Sequence, residues 1–198
     1  GFDSATINSE VMTYRAADRA TWNAIFRAVP GDWFSAGPSD AMVRCLSFFR
    51  QHQPRRLLDV GAGIGRWAIY LARNGIAPNV ALDSAARGSR VTAEWATREG
   101  LRVVAATGDA VALPFVDRSF EAILAALVLE NLDRRDQLTA MAELRRVADR
   151  GAHGFFVFNP ILTGTEIEAL AESGNPTRTC HIESCTDDEI TEMLAGWQ

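Results

Sequence analysis

An apolar run that opens into a glycine-rich turn, Leu57-Leu58-Asp59-Val60-Gly61-Ala62-Gly63-Ile64-Gly65, constrains this chain more than any other stretch. A short Leu/Val-rich segment is a buried strand, and the periodic apolar pattern after Gly65 is a helix. Three alternating glycines between them describe a tight strand-to-helix turn whose backbone can approach a ligand closely. A turn of this kind belongs to a βαβ unit, and the rest of the chain repeats the alternation. The pattern predicts helices over 10–29 and 41–51, a strand over 56–60, and a helix to Arg73 closed by Asn74-Gly75. It then predicts strands at 79–82, 101–106, 120–127 and 154–158. Helices over 85–98 and from Asp133 to Gly151 separate them, with two short helical pieces at 164–172 and 187–195. Asp133 and Asp136 read as capping residues. The expected fold is α/β: a Rossmann-like, open, mostly parallel, doubly wound sheet with an N-terminal helical cap. One domain covers 1–198, divided into a cap at 1–53, a ligand-binding core at 54–160 and a substrate-side tail at 161–198.

The chemistry of the turn narrows the ligand. A dinucleotide fingerprint needs glycine where this chain has Arg66, and a pyrophosphate would not welcome Asp59 just before the first glycine. A cationic ligand would. Asp83 follows at the end of the second strand, where a carboxylate can accept both hydroxyls of a ribose. Asp109, after the third strand, is placed to accept from an adenine amino group. S-adenosylmethionine combines an ammonium, a sulfonium, a ribose diol and an adenine, with no phosphate. Asp83 and Asp109 have simpler readings as turn or helix caps.

Residues 56–158 resemble a class I S-adenosylmethionine-dependent methyltransferase of the small-molecule type. The family's strings occur in order: the glycine segment, Ala81-Leu82-Asp83, Gly108-Asp109-Ala110 with Leu113-Pro114-Phe115, Ser119-Phe120-Glu121-Ala122-Ile123, and Leu129-Glu130-Asn131-Leu132. The resemblance implies that Gly61, Ala62, Gly63 and Gly65 lie under the methionine part, with Asp59 near its ammonium. It implies that Asp83 and Ser84 hold the ribose, that Asp109 and Ala110 meet the adenine, and that Ala126 and Leu127 form the floor near the sulfonium. Tyr14 of the cap joins this set. The cofactor implied is S-adenosyl-L-methionine, leaving as S-adenosyl-L-homocysteine, and the partner is a small-molecule acceptor methylated on oxygen, nitrogen or carbon. The alternative is a non-catalytic subunit or sensor with the same pocket. Members often carry a histidine base where this chain has Asn131, which cannot serve; Glu130 and His153 are the nearest candidate bases. The family sheet normally ends in a β-hairpin, and this chain stops at Gln198. Gly154–Phe158 is therefore expected at the sheet edge, covered by the tail, a partner or further strands.

Composition closes other routes. All 20 basic residues are arginine, which removes Schiff-base lysines, pyridoxal attachment and the Walker A phosphate loop. A net charge of −5 gives no field for nucleic acid or an anionic membrane. No apolar stretch is long enough to span a bilayer and no secretory layout opens the chain, so the cytoplasm is the expected compartment. Cys180, His181 and Cys185 lack the spacing of a closed zinc site, so no metal is expected. Tyr14, Trp22, Trp33 and Phe34 read as cap core or substrate contacts, and Arg66 as facing either a carboxylate or solvent.

Overall fold

The computed structural model describes residues 19–28, 37–76 and 79–158, together with 191, 194 and 195. Helix α1 spans Arg19–Arg27 and α2 spans Asp40–His52; β1 is Leu57–Val60, α3 Arg66–Arg73, β2 Asn79–Asp83 and α4 Ala86–Arg98. They are followed by β3 (Val103–Thr107), β4 (Phe120–Ala126), a 3-10 turn (Leu129–Asn131), α5 (Arg134–Val147) and β5 (Ala148–Val157). Ser39 starts α2 by accepting from the Met42 amide, and Asp133 starts α5 by accepting from the Asp136 amide.

All five strands run parallel in the order β3-β2-β1-β4-β5. The order turns back on itself between β1 and β4, the position where open α/β sheets leave a crevice at their strand ends. Helices cover both faces, so the two central strands are buried along nearly their whole length. Side chains alternate between the faces. Leu58, Val60, Ile123 and Ala125 join Met141 and Leu144 of α5, while Leu57, Ala122 and Leu124 join Cys45 and Phe49 of α2 and Leu71 of α3.

Two expectations need correction. Helix α5 stops at Val147, not Gly151, and the last strand begins at Ala148 rather than 154. Ala148 is already extended (φ −71°, ψ 134°) and pairs with Phe120 of β4, so the chain passes straight into the sheet, and Asp149 pairs with Arg56 at 3.3 Å at the foot of β1. Gly151 (φ 74°) sits inside that strand, within the register shift facing Phe120–Ala122. At the N-terminus, the helix expected over 10–29 is described only from Arg19 to Arg27.

Among the described residues β5 pairs with β4 alone. Phe156, Phe158 and Leu194 pack against the α5-side core, and Arg145 donates to the Ala195 carbonyl at 2.7 Å. The described part of the tail therefore lies against that side of the sheet.

Candidate functional site

The glycine turn takes left-handed backbone at Gly61 (φ 71°), Gly63 (57°) and Gly65 (82°). Such values cost an L-residue about 1–2 kcal/mol. Neighbouring side chains also fill the space where side chains on these residues would begin. A Cβ on Gly61 would strike Val128, one on Gly65 would come within 2.5 Å of Thr92 Cγ2, and one on Gly63 would reach Phe26 at 3.2 Å. The glycines thus answer first to the fit of the loop against α1, α4 and the turn after β4. Gly65 is the N-cap of α3 and does not line the cavity described below.

Asp83 locks the turn from the next strand. Its Oδ2 accepts from the Gly63 amide at 2.7 Å and its Oδ1 from the Ala85 amide at 2.8 Å. Each oxygen keeps a free acceptor direction, and among the described residues no cation pairs with the charge. Burial raises its pKa, against the two amides, which lower it.

These parts border one cavity of about 370 Å³ at the C-terminal ends of the strands, within the range of roughly 300–1,000 Å³ usual for small-molecule sites. Asp83, Ser84, Asp109 and Ala110 form one side, and Gly61, Ala62 and Gly63 run beneath. Ala126 and Leu127 form the floor, while Trp22 and Phe26 of α1, stacked at 5.6 Å, lie over it. Arg19 reaches Asp109 at 3.8 Å, and Asn23 accepts from the Arg87 amide at 2.8 Å, seating α1 on α4.

The floor holds one strained residue. Leu127 has φ 58° although it carries a side chain. Its amide donates to the Val157 carbonyl at 2.8 Å, and its own carbonyl accepts from Asn131 Nδ2 at 2.9 Å. Asn131 is therefore a brace for the floor as well as part of the wall.

Besides Gly65, three expected site residues lie elsewhere. Asp59 is 1% exposed, and the alternation along β1 turns it, like Leu57, toward α2 and α3. There it accepts from the Ala68 amide in the first turn of α3, the service that Gly65 cannot give without a side chain. Burial holds its carboxyl well above the usual carboxylate range, and the Asp83 charge adds to this. Glu130 is 2% exposed and His153 stacks on His52 at 3.6 Å; neither lines the cavity. Tyr14, Trp33, Phe34, Cys180, His181 and Cys185 lie outside the described residues. Trp67 and Phe26 are wall residues that the sequence pattern does not single out. The one available signal for Trp67 is a large aromatic in the first turn after a glycine loop.

Residues 57–151 match the sequence profile of a family described as a methyltransferase domain. A demethylmenaquinone methyltransferase of Thermobifida fusca is 40% identical over 98 residues, 48% of this chain and 39% of the relative. A malonyl-[acyl-carrier protein] O-methyltransferase of Halorhodospira halophila is 37% identical over 145 residues, 71% of this chain and 47% of the relative. The chain thus spans about half or less of the length of these curated relatives. The crystal structure of a SAM-dependent methyltransferase from Aquifex aeolicus superposes with a TM-score of 0.61 at 18% identity, over 89% of this chain and 86% of that one. At that identity the superposition speaks for the fold alone.

Proposed function

We propose that this chain, whose residues 57–151 match a methyltransferase-domain family, is a class I S-adenosylmethionine-dependent methyltransferase that binds S-adenosylmethionine and transfers its methyl group to a small molecule. The observation that carries this is the placing of Asp83 and Asp109 at successive strand ends, on one cavity with the glycine turn. The residues present suit the cofactor. Asp83 offers two free acceptor directions to a ribose diol, and Asp109 accepts from an adenine amino group. The exposed backbone of Gly61–Gly63 lies under the amino-acid part, with Ser84 and Ala110 flanking the adenosine. Tyr14 stays a proposed cap contact.

The bound cofactor supplies a methyl group already activated on a sulfonium. The chain's own work is to hold donor and acceptor in line and keep water out. Ala126 and the braced Leu127 set the floor, Trp22 and Phe26 close the top, and Trp67 and Leu132 add apolar wall. Asp83 and Asp109 are the carboxylates on that wall, and both are assigned to the adenosine.

Isothermal titration with S-adenosylmethionine and S-adenosylhomocysteine tests the binding, with NADH as control. Saturable one-to-one binding of both sulfur compounds, without NADH binding, is expected. Heat traces flat for both would overturn the reading. Transfer of labelled methyl from the cofactor into a small-molecule extract then separates an enzyme from a binding subunit.

A further inference from the structure

We propose that Glu143 and Arg146 of α5 are positioning residues for base recognition. Together they hold the loop between β3 and β4 so that Asp109 meets the adenine amino group, and they thereby set a preference for adenine over a 6-oxo purine. The proposal rests on the cofactor reading above.

Asp109 stands near the start of a stretch that the sheet does not hold: β3 ends at Thr107 and β4 begins at Phe120. The Gly108 amide donates to the Asp83 carbonyl at 3.0 Å, and Asp109 and Ala112 then close a small turn on each other. Asp109 Oδ1 accepts from the Val111 amide at 3.2 Å, so the aim of its carboxylate follows the course of that turn. From Leu113 onward the fastening passes to α5.

One guanidinium supplies most of it. All five N–H donors of Arg146 are engaged. Nε and Nη2 grip the two oxygens of Glu143 at 2.7 and 2.8 Å, and Nη2 also donates to the Leu113 carbonyl at 3.0 Å. Nη1 donates to the Phe115 carbonyl at 2.7 Å and to Asp117 Oδ1 at 2.9 Å. Glu143 Oε2 accepts in turn from the Leu113 amide at 2.8 Å, and the Arg146 carbonyl accepts from the Arg118 amide at 2.9 Å. Leu113 is thus held at both its amide and its carbonyl by one side-chain couple. Ala110 and Leu113 also pack into the core beside Leu144 and Val147 of the same helix. Neither Glu143 nor Arg146 borders the cavity, so their effect on a ligand runs through the loop. A loop ordered in advance raises affinity because binding no longer has to order it. A lysine keeps the charge of Arg146 but not the fork that spans these acceptors.

The test compares S-adenosylhomocysteine with S-inosylhomocysteine, which differ only in the base: the second has a carbonyl where the first has its amino group. Calorimetry on wild type, Arg146→Met, Arg146→Lys and Glu143→Gln gives the ratio of the two dissociation constants, with urea unfolding measured beside it. Gly75→Ala, strained at φ 88° and off the cavity wall, is the destabilised control. Wild type is expected to favour the adenosyl compound by about tenfold or more. Arg146→Met should remove most of that preference, and Arg146→Lys and Glu143→Gln should each remove part of it. Gly75→Ala should keep all of it while losing stability. A preference unchanged in Arg146→Met, or in the other two variants should that one not fold, overturns the proposal while the cofactor reading stands. Wild-type protein that binds both compounds equally does the same. Wild-type protein that binds neither overturns both.

Discussion

Gly65→Ala separates a glycine demanded by the fold from one demanded by a ligand. At φ 82° the added methyl costs about 1–2 kcal/mol in backbone strain. It would also lie 2.5 Å from Thr92 Cγ2 and 2.6 Å from Thr92 Oγ1. Thr92 is 1% exposed and donates to the Gly88 carbonyl at 3.1 Å, so it has little room to move. Overpacking of this kind costs roughly 1–3 kcal/mol, which brings the expected loss to about 2–5 kcal/mol. The control is Gly75→Ala, at φ 88° with nothing within 4 Å of the new methyl, for which only the strain of about 1–2 kcal/mol applies. Urea unfolding of the ligand-free protein measures both. Thr92→Ala removes the two closest atoms, so the double variant should be less destabilised than the single changes add up to, by about 0.5–3 kcal/mol. Equal losses for the two glycine variants, or strict additivity with Thr92→Ala, would refute the packing argument.

Two further outcomes follow from the carboxylates. Asp83→Ala removes a charged acceptor facing the cavity, and charged hydrogen bonds contribute roughly 1.5–3 kcal/mol, so S-adenosylhomocysteine affinity should fall about tenfold or more by calorimetry; an unchanged dissociation constant would leave Asp83 as only a tie for Gly63 and Ala85. Asp59 takes up a proton more readily in the folded chain than in the unfolded one, so its contribution to stability is present at low pH and lost as pH rises through its raised folded value. Wild-type unfolding midpoints should therefore fall more steeply as pH rises above the ordinary carboxylate value of about 4 than those of Asp59→Asn, and parallel profiles would contradict this.

Much of the architecture was legible because local chemistry and tertiary structure agree. The alternation of apolar runs with capped helices fixes the strands at 79–83 and 120–126 to within a residue, and helix α2 likewise. The join between α5 and β5 was not legible. Gly151 looks like a helix stop, and what overrides it is strand pairing between residues far apart in sequence, beginning with Ala148 on Phe120. Asp59 is instructive in a different way. Its place before the glycines suggests a ligand contact, yet the period-two alternation of β1 already assigns it to the face of Leu57. The crowding of Gly65 by Thr92 and the brace of Asn131 on Leu127 depend on which elements meet, which no local pattern encodes.

Leu127 sets a limit on how this protein could be hardened. A search for stabilising substitutions would single it out, since glycine or asparagine takes positive φ at less cost than leucine. The same residue is 41% exposed and forms part of the cavity floor. Relaxing it frees the backbone at the place where, on the proposed function, donor and acceptor are held in line. A thermostable variant is better drawn from exposed positions off the cavity wall, for instance Val116, which is 78% exposed. Improvement at position 127 would trade turnover for melting temperature.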